Sequence, residues 1–408
     1  MDTTPFPIES HTPVMGQRAL FPQLQHRAYL SHAAISPLSK PVLDAMVHSA
    51  STYAQLGVEA FGHGFGQRRR LKTLIGNLFN VSNYEIAFVP NTTSGLSAIA
   101  LCLPWQCGDR IIVFDEEFPT NVTPWQRAAE VFNLEICWAS SQRLRQADGP
   151  DFSEIDTLLQ RGARLMAISA VQFQTGVRMP IEALGRKCQH WGAELCVDAI
   201  QALGATPIEL QYADYICAGG HKWMMGPEGT GILLARPGRA KVMKPLVAGW
   251  LSHTAPTRFL FNGPGEMSHE RPIRPHLNFI ESGTLNALGL VGLEASLRLI
   301  AHLGIPDIFA HTQRWHSLLS PELKARDFTF ARPPDEGRHS SILSVRPPPS
   351  ITVQALADTL LTDGISCSTP DGWLRFAPHW PNAVSEVPHI IESIDACLSK
   401  GGSPRVKA

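Results

Sequence analysis

The 408-residue sequence predicts an α/β fold, with a large domain on a seven-stranded, mostly parallel sheet and a smaller C-terminal α/β domain. Three observations carry that expectation. Seven short apolar runs succeed one another between residues 85 and 235. Amphipathic stretches of helical period separate several of them. Beyond residue 280 the pattern restarts with a long apolar helix and a shorter alternation.

The runs are EIAFV (85–89), RIIVF (110–114), EICWA (135–139), LMAIS (165–169), ELCVD (194–198), YICAG (215–219) and GILLA (231–235). Between them, TSGLSAIALCL (93–103), TPWQRAAEVF (123–132) and PIEALGRKCQHW (180–191) read as helices, the last opened by a proline suited to a first turn. Strands apolar on both faces and separated by helices belong in a parallel sheet covered on both sides. Such sheets bind ligands beyond the carboxyl ends of their strands. Asn91, Asp115, Ser169, Asp198 and Gly219 fall at those ends.

Segment 261–278, FNGPGEMSHERPIRPHLN, reads as a long loop, and TLNALGLVGLEASLRLIAHLG (284–304) as a helix stopped by Gly304. TVQALADTLLTDGISCS (352–368) and VPHIIESIDACLSK (387–400) then build the smaller domain, and GGSPRVKA reads as a frayed tail. The expected division is an N-terminal arm over 1–30, a large domain over 31–265, and a connecting loop, helix and small domain over 266–408.

Composition narrows the functional classes. Lys+Arg number 35 and Asp+Glu 36, so no basic field points to nucleic acid. The opening MDTTPFPIESHTPVMGQ lacks the cationic and apolar regions of a secretion signal, and no run of about 18 apolar residues predicts a membrane span. The eight cysteines form no C-x-x-C pair and have no histidines at zinc spacing, so no metal site is expected and a reducing, cytoplasmic setting is.

AGGHKWMMGPEGTG (218–231) sets one lysine, Lys222, in a stretch otherwise fit for burial. Such a lysine either snorkels to the surface or has its pKa lowered into the range of a nucleophile. FVPNTTSGLSAIA (88–100) runs from a strand through a Thr/Ser turn into a helix, which makes either a phosphate cradle or an ordinary capped helix. No G-x-G-x-x-G follows a strand and no G-x-x-x-x-G-K-[ST] occurs, so nucleotide readings have little support. Asp198 ends a strand in VDAIQALG, with Gln201 a turn later. An anion cradle, a buried acid and a lysine in one crevice are what pyridoxal 5'-phosphate requires. The lysine holds the cofactor covalently, the acid keeps its ring nitrogen protonated and the cradle takes its phosphate.

With these segments in this order, the chain resembles the fold-type I pyridoxal phosphate enzymes of the class V aminotransferase and cysteine desulfurase-like group. The likeness runs from YLSHAAISPLS (29–39) to LRFAPHWPN (374–382) and implies the transferase fold of those enzymes. It also implies roles. Lys222 would carry the cofactor, with His221 beside it; Thr92 and Thr93 would hold the phosphate; Asp198 would face the ring nitrogen and Gln201 the ring phenolate. Phe118 in EFPTN (117–121) would lie over the ring. Thr284 in ESGTLN (281–286) would reach the phosphate of a neighbouring subunit, which implies a homodimer with shared sites, and Trp250 would approach the same phosphate. Arg375 would grip a substrate α-carboxylate, with Gln172 on the substrate side and His32 either at the entrance or packed.

The likeness is incomplete. The loop CSTPDGW (367–373) is short and lacks the histidine pair of desulfurase loops, and Cys367 stands only eight residues before Arg375. A packed thiol is therefore expected rather than a persulfide carrier. Gly219 replaces the serine usual at its position. FPTN, FQTG and GW lean toward kynureninase-like members, which have a histidine where Gln201 stands and a tyrosine where His221 stands. The leading expectation is a class V aminotransferase acting at the Cα of an amino acid. Alternatives are a carbon–sulfur lyase of the desulfurase kind, a kynureninase-like lyase or an epimerase. A cofactor-binding protein without turnover is a minor one, against which Arg375 argues.

Overall fold

The computed structural model describes residues 12–399; most of MDTTPFPIESHTPVMGQ and the tail GGSPRVKA lie outside them. The seven apolar runs form one sheet: β1 (Ile86–Val89), β2 (Arg110–Phe114), β3 (Glu135–Ala139), β4 (Ala163–Ser169), β5 (Glu194–Asp198), β6 (Tyr215–Gly219) and β7 (Gly231–Ala235). Their spatial order is β1-β7-β6-β5-β4-β2-β3. Strand β7 runs antiparallel to both neighbours and the other pairings are parallel.

Alternation along these strands builds a core on each face. Ile112, Phe114, Met166, Ile168, Leu195 and Val197 enter one apolar cluster. Their neighbours Ile111, Val113, Leu165, Ala167 and Cys196 enter the other. The expectation that every strand is covered on both sides fails at β3. It is one of the two edge strands, and its Glu135 and Trp138 face solvent.

Helix α1 (Lys40–Leu56), helix α2 (Phe61–Phe79) and the predicted long helix, α3 (Ala287–Leu303), pack together over the first cluster. Gly304, with φ +81°, ends α3 and turns the chain by 75° into a helix over Ile305–Lys324. No single described helix is long and apolar enough to cross a membrane. The small domain carries a three-stranded antiparallel sheet of Thr329–Phe330, Leu343–Arg346 and Leu374–Phe376, with the last strand bearing Arg375. Ala28–Tyr29 pairs in parallel with Ile365–Ser366, and Ala28 and Leu30 join the small-domain core.

What positions the site is the helix over Thr92–Cys102, which leaves β1 and lies close over β6. Gly95 makes that approach possible, since a Cβ there would collide with Cys217 Sγ on β6. Gly95→Ala should therefore lower stability by about 1–3 kcal/mol despite alanine's better helix propensity. Urea unfolding followed by circular dichroism measures it; an unchanged midpoint would mean the helix lifts from the sheet without cost.

Candidate active site

The floor of the site is the carboxyl end of β5 and β6. Asp198 closes β5 and is 2% exposed, with Oδ1 accepting the Ile200 N–H at 2.9 Å. Burial pushes its carboxyl up to about 6, against the pull of that N–H and of Lys222. Lys222 sits just past β6 on a tight turn. Gly220 N–H donates to Thr230 O at 2.7 Å, and Gly226 N–H to Gly220 O at 2.8 Å. Behind it, Ser36 Oγ donates to Lys222 O at 2.6 Å, and the His32 ring meets Ser36 Oγ at 2.7 Å. Burial, helped by the charge of Arg375 and opposed by Asp198, draws the lysine down to about 8.

The helix over Thr92–Cys102 aims its first turn at this floor. Asn91 caps it by accepting the Ser94 N–H at 2.8 Å. The Thr92 hydroxyl is buried and accepts the Gly219 N–H at 2.9 Å, which fastens the helix tip to β6. Thr93 is exposed, and its hydroxyl lies 2.8 Å from that of Thr120. The glycine at 219 has a local reason. A Cβ there would stand 3.1 Å from His221 Nδ1, so the bare backbone lets the histidine ring lie against the strand end.

A second wall comes from the segment after β2. Phe118 is 45% exposed, with Lys222 Nζ 5.7 Å from its ring centre. Phe173 meets it edge-on at 5.2 Å. Between them and the floor, Glu117 accepts from both the N–H and the hydroxyl of Ser169. Burial raises this carboxyl to about 7, and Asp198 adds to the rise. The strand-end pattern of the sequence picks out Asp115 and not Glu117, yet the Asp115 carboxylate accepts the Ser141 N–H instead.

Arg375 enters from the small domain and is 4% exposed. Its Nε donates to Ser368 Oγ at 3.0 Å and Nη1 to Phe173 O at 2.6 Å. It has no carboxylate partner among the described residues, and burial alone draws it down to about 10. A buried guanidinium held by neutral acceptors keeps its charge for an incoming anion.

The other residues named from sequence are placed differently. Gln201 is buried; its Nε2 donates to Ala33 O at 2.9 Å and its Oε1 accepts from Trp223 Nε1 at 2.8 Å, so one N–H remains for a ring oxygen. Gln172 has both ends of its amide engaged within its own loop and by Glu116 O. His32 is fully buried behind Lys222 rather than at an entrance, and burial holds it well below the usual histidine range. Trp250 is 40% exposed. Thr284 is exposed on a groove of about 780 Å³ between α1, α2 and the start of α3, where Lys222, Asp198 and Arg375 take no part. Cys367 packs against the small-domain core, where burial raises its thiol. The residues that anchor Arg375, Ser368 and the Phe173 carbonyl, carried no signal in the sequence.

These groups fit a phosphorylated pyridine aldehyde. A buried acid with one backbone partner suits a protonated ring nitrogen, and a lysine drawn down toward neutrality suits capture of an aldehyde. The first-turn N–H groups of Thr92 and Thr93, which a helix cannot satisfy internally, suit a phosphate.

The aminotransferase class-V family matches residues 28–372 of the chain. A probable cysteine desulfurase of Pyrococcus abyssi is 27% identical over 391 residues, covering 90% of this chain and 93% of its own. A cysteine desulfurase of Pectobacterium atrosepticum is 27% identical over 338 residues, 75% of each chain. Among solved structures, the apo cysteine desulfurase of Thermococcus onnurineus superposes with a TM-score of 0.80 at 22% identity, covering 91% of this chain and 95% of that one. The cystine C–S lyase C-DES, in complex with cysteine persulfide, gives 0.81 at 21% identity, covering 94% and 99%.

The electrostatics predict how the cofactor is taken up. Only the neutral amine attacks an aldehyde, so capture of pyridoxal phosphate by cofactor-free protein should quicken as pH rises through about 8 and then level. Arg375→Met, by removing a nearby positive charge, should move that midpoint upward, and Asp198→Asn should move it downward. Stopped-flow absorbance of the bound cofactor reads both; coincident profiles would mean that neither group acts on Lys222.

Proposed function

The chain belongs to the aminotransferase class-V family of pyridoxal phosphate enzymes, and from that premise we propose that it is a lyase cleaving the carbon–sulfur bond of a sulfur-containing α-amino acid. The observation that carries the choice of an α-amino acid is Arg375, a buried cation held, among the described residues, by neutral acceptors. The choice of a sulfur substrate is supported by relatives named for cysteine desulfurase and cystine C–S lyase activity. Cys367 argues for elimination rather than persulfide transfer to the protein. It is half-buried and packs against the small-domain core, and burial raises its thiol, which keeps it protonated.

Arg375 receives the substrate carboxylate through its remaining N–H groups and so sets the Cα–H bond relative to Lys222. Phe118 offers the flat face on which a ring can rest. Asp198 holds a proton at the ring nitrogen. Pyridoxal phosphate supplies, when bound, the sink for the electron pair released at Cα. Lys222 Nζ, neutral above about 8, takes the Cα proton as general base. The Cα–H and Cβ–S bonds break and a Cα=Cβ bond forms. The C–S electron pair leaves with the sulfur as a thiol, or as a persulfide when the substrate is a disulfide. The aminoacrylate left hydrolyses with water to pyruvate and ammonia, so no outside oxidant or reductant is needed.

A homodimer belongs to the same reading. Thr284 borders the open groove between α1, α2 and α3, and Leu260, Phe261 and Met267 are exposed apolar side chains nearby in the chain. A second copy laid over this face would bring Thr284 toward the partner's site.

Incubation should give pyruvate and ammonia, together with sulfide from cysteine or a persulfide from cystine, with Cys367→Ser unchanged. Alanine in place of pyruvate, lost in Cys367→Ser, would indicate a desulfurase using that thiol. Pyridoxamine phosphate accumulation would indicate a transaminase, stereochemical inversion an epimerase, and no change with any amino acid a protein without turnover. Loss of charge-assisted bonds is worth about 1.5–3 kcal/mol, so Arg375→Ala should lower kcat/KM for an α-amino acid roughly 10- to 150-fold.

A further inference from the structure

We propose that Gln172 is a positioning residue that aims the carboxylate clamp, acting through the Phe173 carbonyl and touching neither substrate nor cofactor. The inference rests on the reading of Arg375 as that clamp.

The side chain is 3% exposed and saturated. Oε1 accepts from Gln174 N–H at 2.8 Å, from Thr175 N–H at 2.8 Å and from Thr175 Oγ1 at 3.0 Å. Nε2 donates to Glu116 O at 2.9 Å and to Gln174 Oε1 at 2.7 Å. No lone pair or N–H of ordinary geometry is left for a ligand.

The first of these bonds has a directional effect. In a trans peptide unit the C=O and the following N–H point in opposite directions. Holding Gln174 N–H against Gln172 Oε1 therefore turns Phe173 C=O the other way, onto Arg375 Nη1 at 2.6 Å. The bond to Glu116 O reaches the other wall, because Glu116, at φ +57°, is the left-handed residue from which the chain passes through Glu117 to Phe118. Gln174 extends the same arrangement by donating to Asp371 Oδ2 at 3.0 Å, in the short loop that also carries Ser368. One amide thus fixes the angle between the wall of Phe118 and the guanidinium of Arg375.

The test is binding to the cofactor-loaded protein, followed by visible absorbance, with glycine as the probe and methylamine as its carboxylate-free counterpart. Gln172→Met should weaken glycine about 10- to 100-fold while leaving methylamine and the resting spectrum unchanged. In an Arg375→Ala background the same substitution should add nothing. Equal weakening of both probes, or of neither, overturns the proposal. If Gln172→Met fails to fold, Gln172→Glu keeps the bonds that Oε1 accepts and removes those that Nε2 donates. It should then weaken glycine selectively, because the link to Glu116 O is lost, and weakening of both probes alike, or of neither, would overturn the proposal. Arg375→Ala binding glycine like the parent would instead overturn the clamp reading itself.

Discussion

Lys222 and Arg375 share a crevice with too little negative charge to balance them. Each gives up hydration there, and each is drawn down in consequence, the lysine to about 8 and the arginine to about 10. Asp198 is the acid that couples to the lysine, and burial has weakened it as well. Glu117, the other carboxyl nearby, is engaged with Ser169 and stands near half-protonation at neutral pH. An excess of buried positive charge costs stability in the empty protein and favours anions such as a phosphate and a carboxylate.

That constraint accounts for how the surrounding backbone is used. An acid beside Arg375 would neutralise it, so the fold holds it with a serine hydroxyl and a peptide carbonyl. An acid beside the helix tip would compete with phosphate, and the helix there begins with Asn91 and two threonines. Lys222 is pinned through its carbonyl by Ser36, which leaves the amine free to change partners. Among the described residues neither Lys222 nor Arg375 is in an ion pair, whereas Arg239 pairs with Asp214 and Glu194, where fixed charge serves packing.

Much of the site was legible because chain order and position coincide in a parallel sheet. Residues at or just past the carboxyl ends of strands converge, so Thr92, Asp198 and Lys222 could be brought together from sequence, each at the end of an apolar run that is buried throughout. Gln172, Gln201 and His32 were legible as polar residues close to these motifs, but not as bonded groups. Whether a buried amide meets a ligand or another peptide depends on which atoms lie opposite it. For Gln201 those are Ala33 O and Trp223 Nε1, both remote from it in sequence or on another turn. Glu117 escaped notice because a carboxylate beside Phe118 looks no different from Asp115 until Ser169 is seen against it.

The sequence by itself determined the strands, the helices between them, and the lysine and acid at adjacent strand ends. Those follow from local periodicity and spacing, which a chain carries in one dimension. Only the tertiary structure decided that Arg375 has no acid partner among the described residues, that Cys367 packs half-buried against the small-domain core, and that a peptide carbonyl, aimed by Gln172, meets the guanidinium. The Phe173 carbonyl meets the guanidinium across 202 residues of chain, and what Gln172 holds to aim it is a backbone N–H. Backbone atoms are the same at every position, so no pattern of side chains announces them.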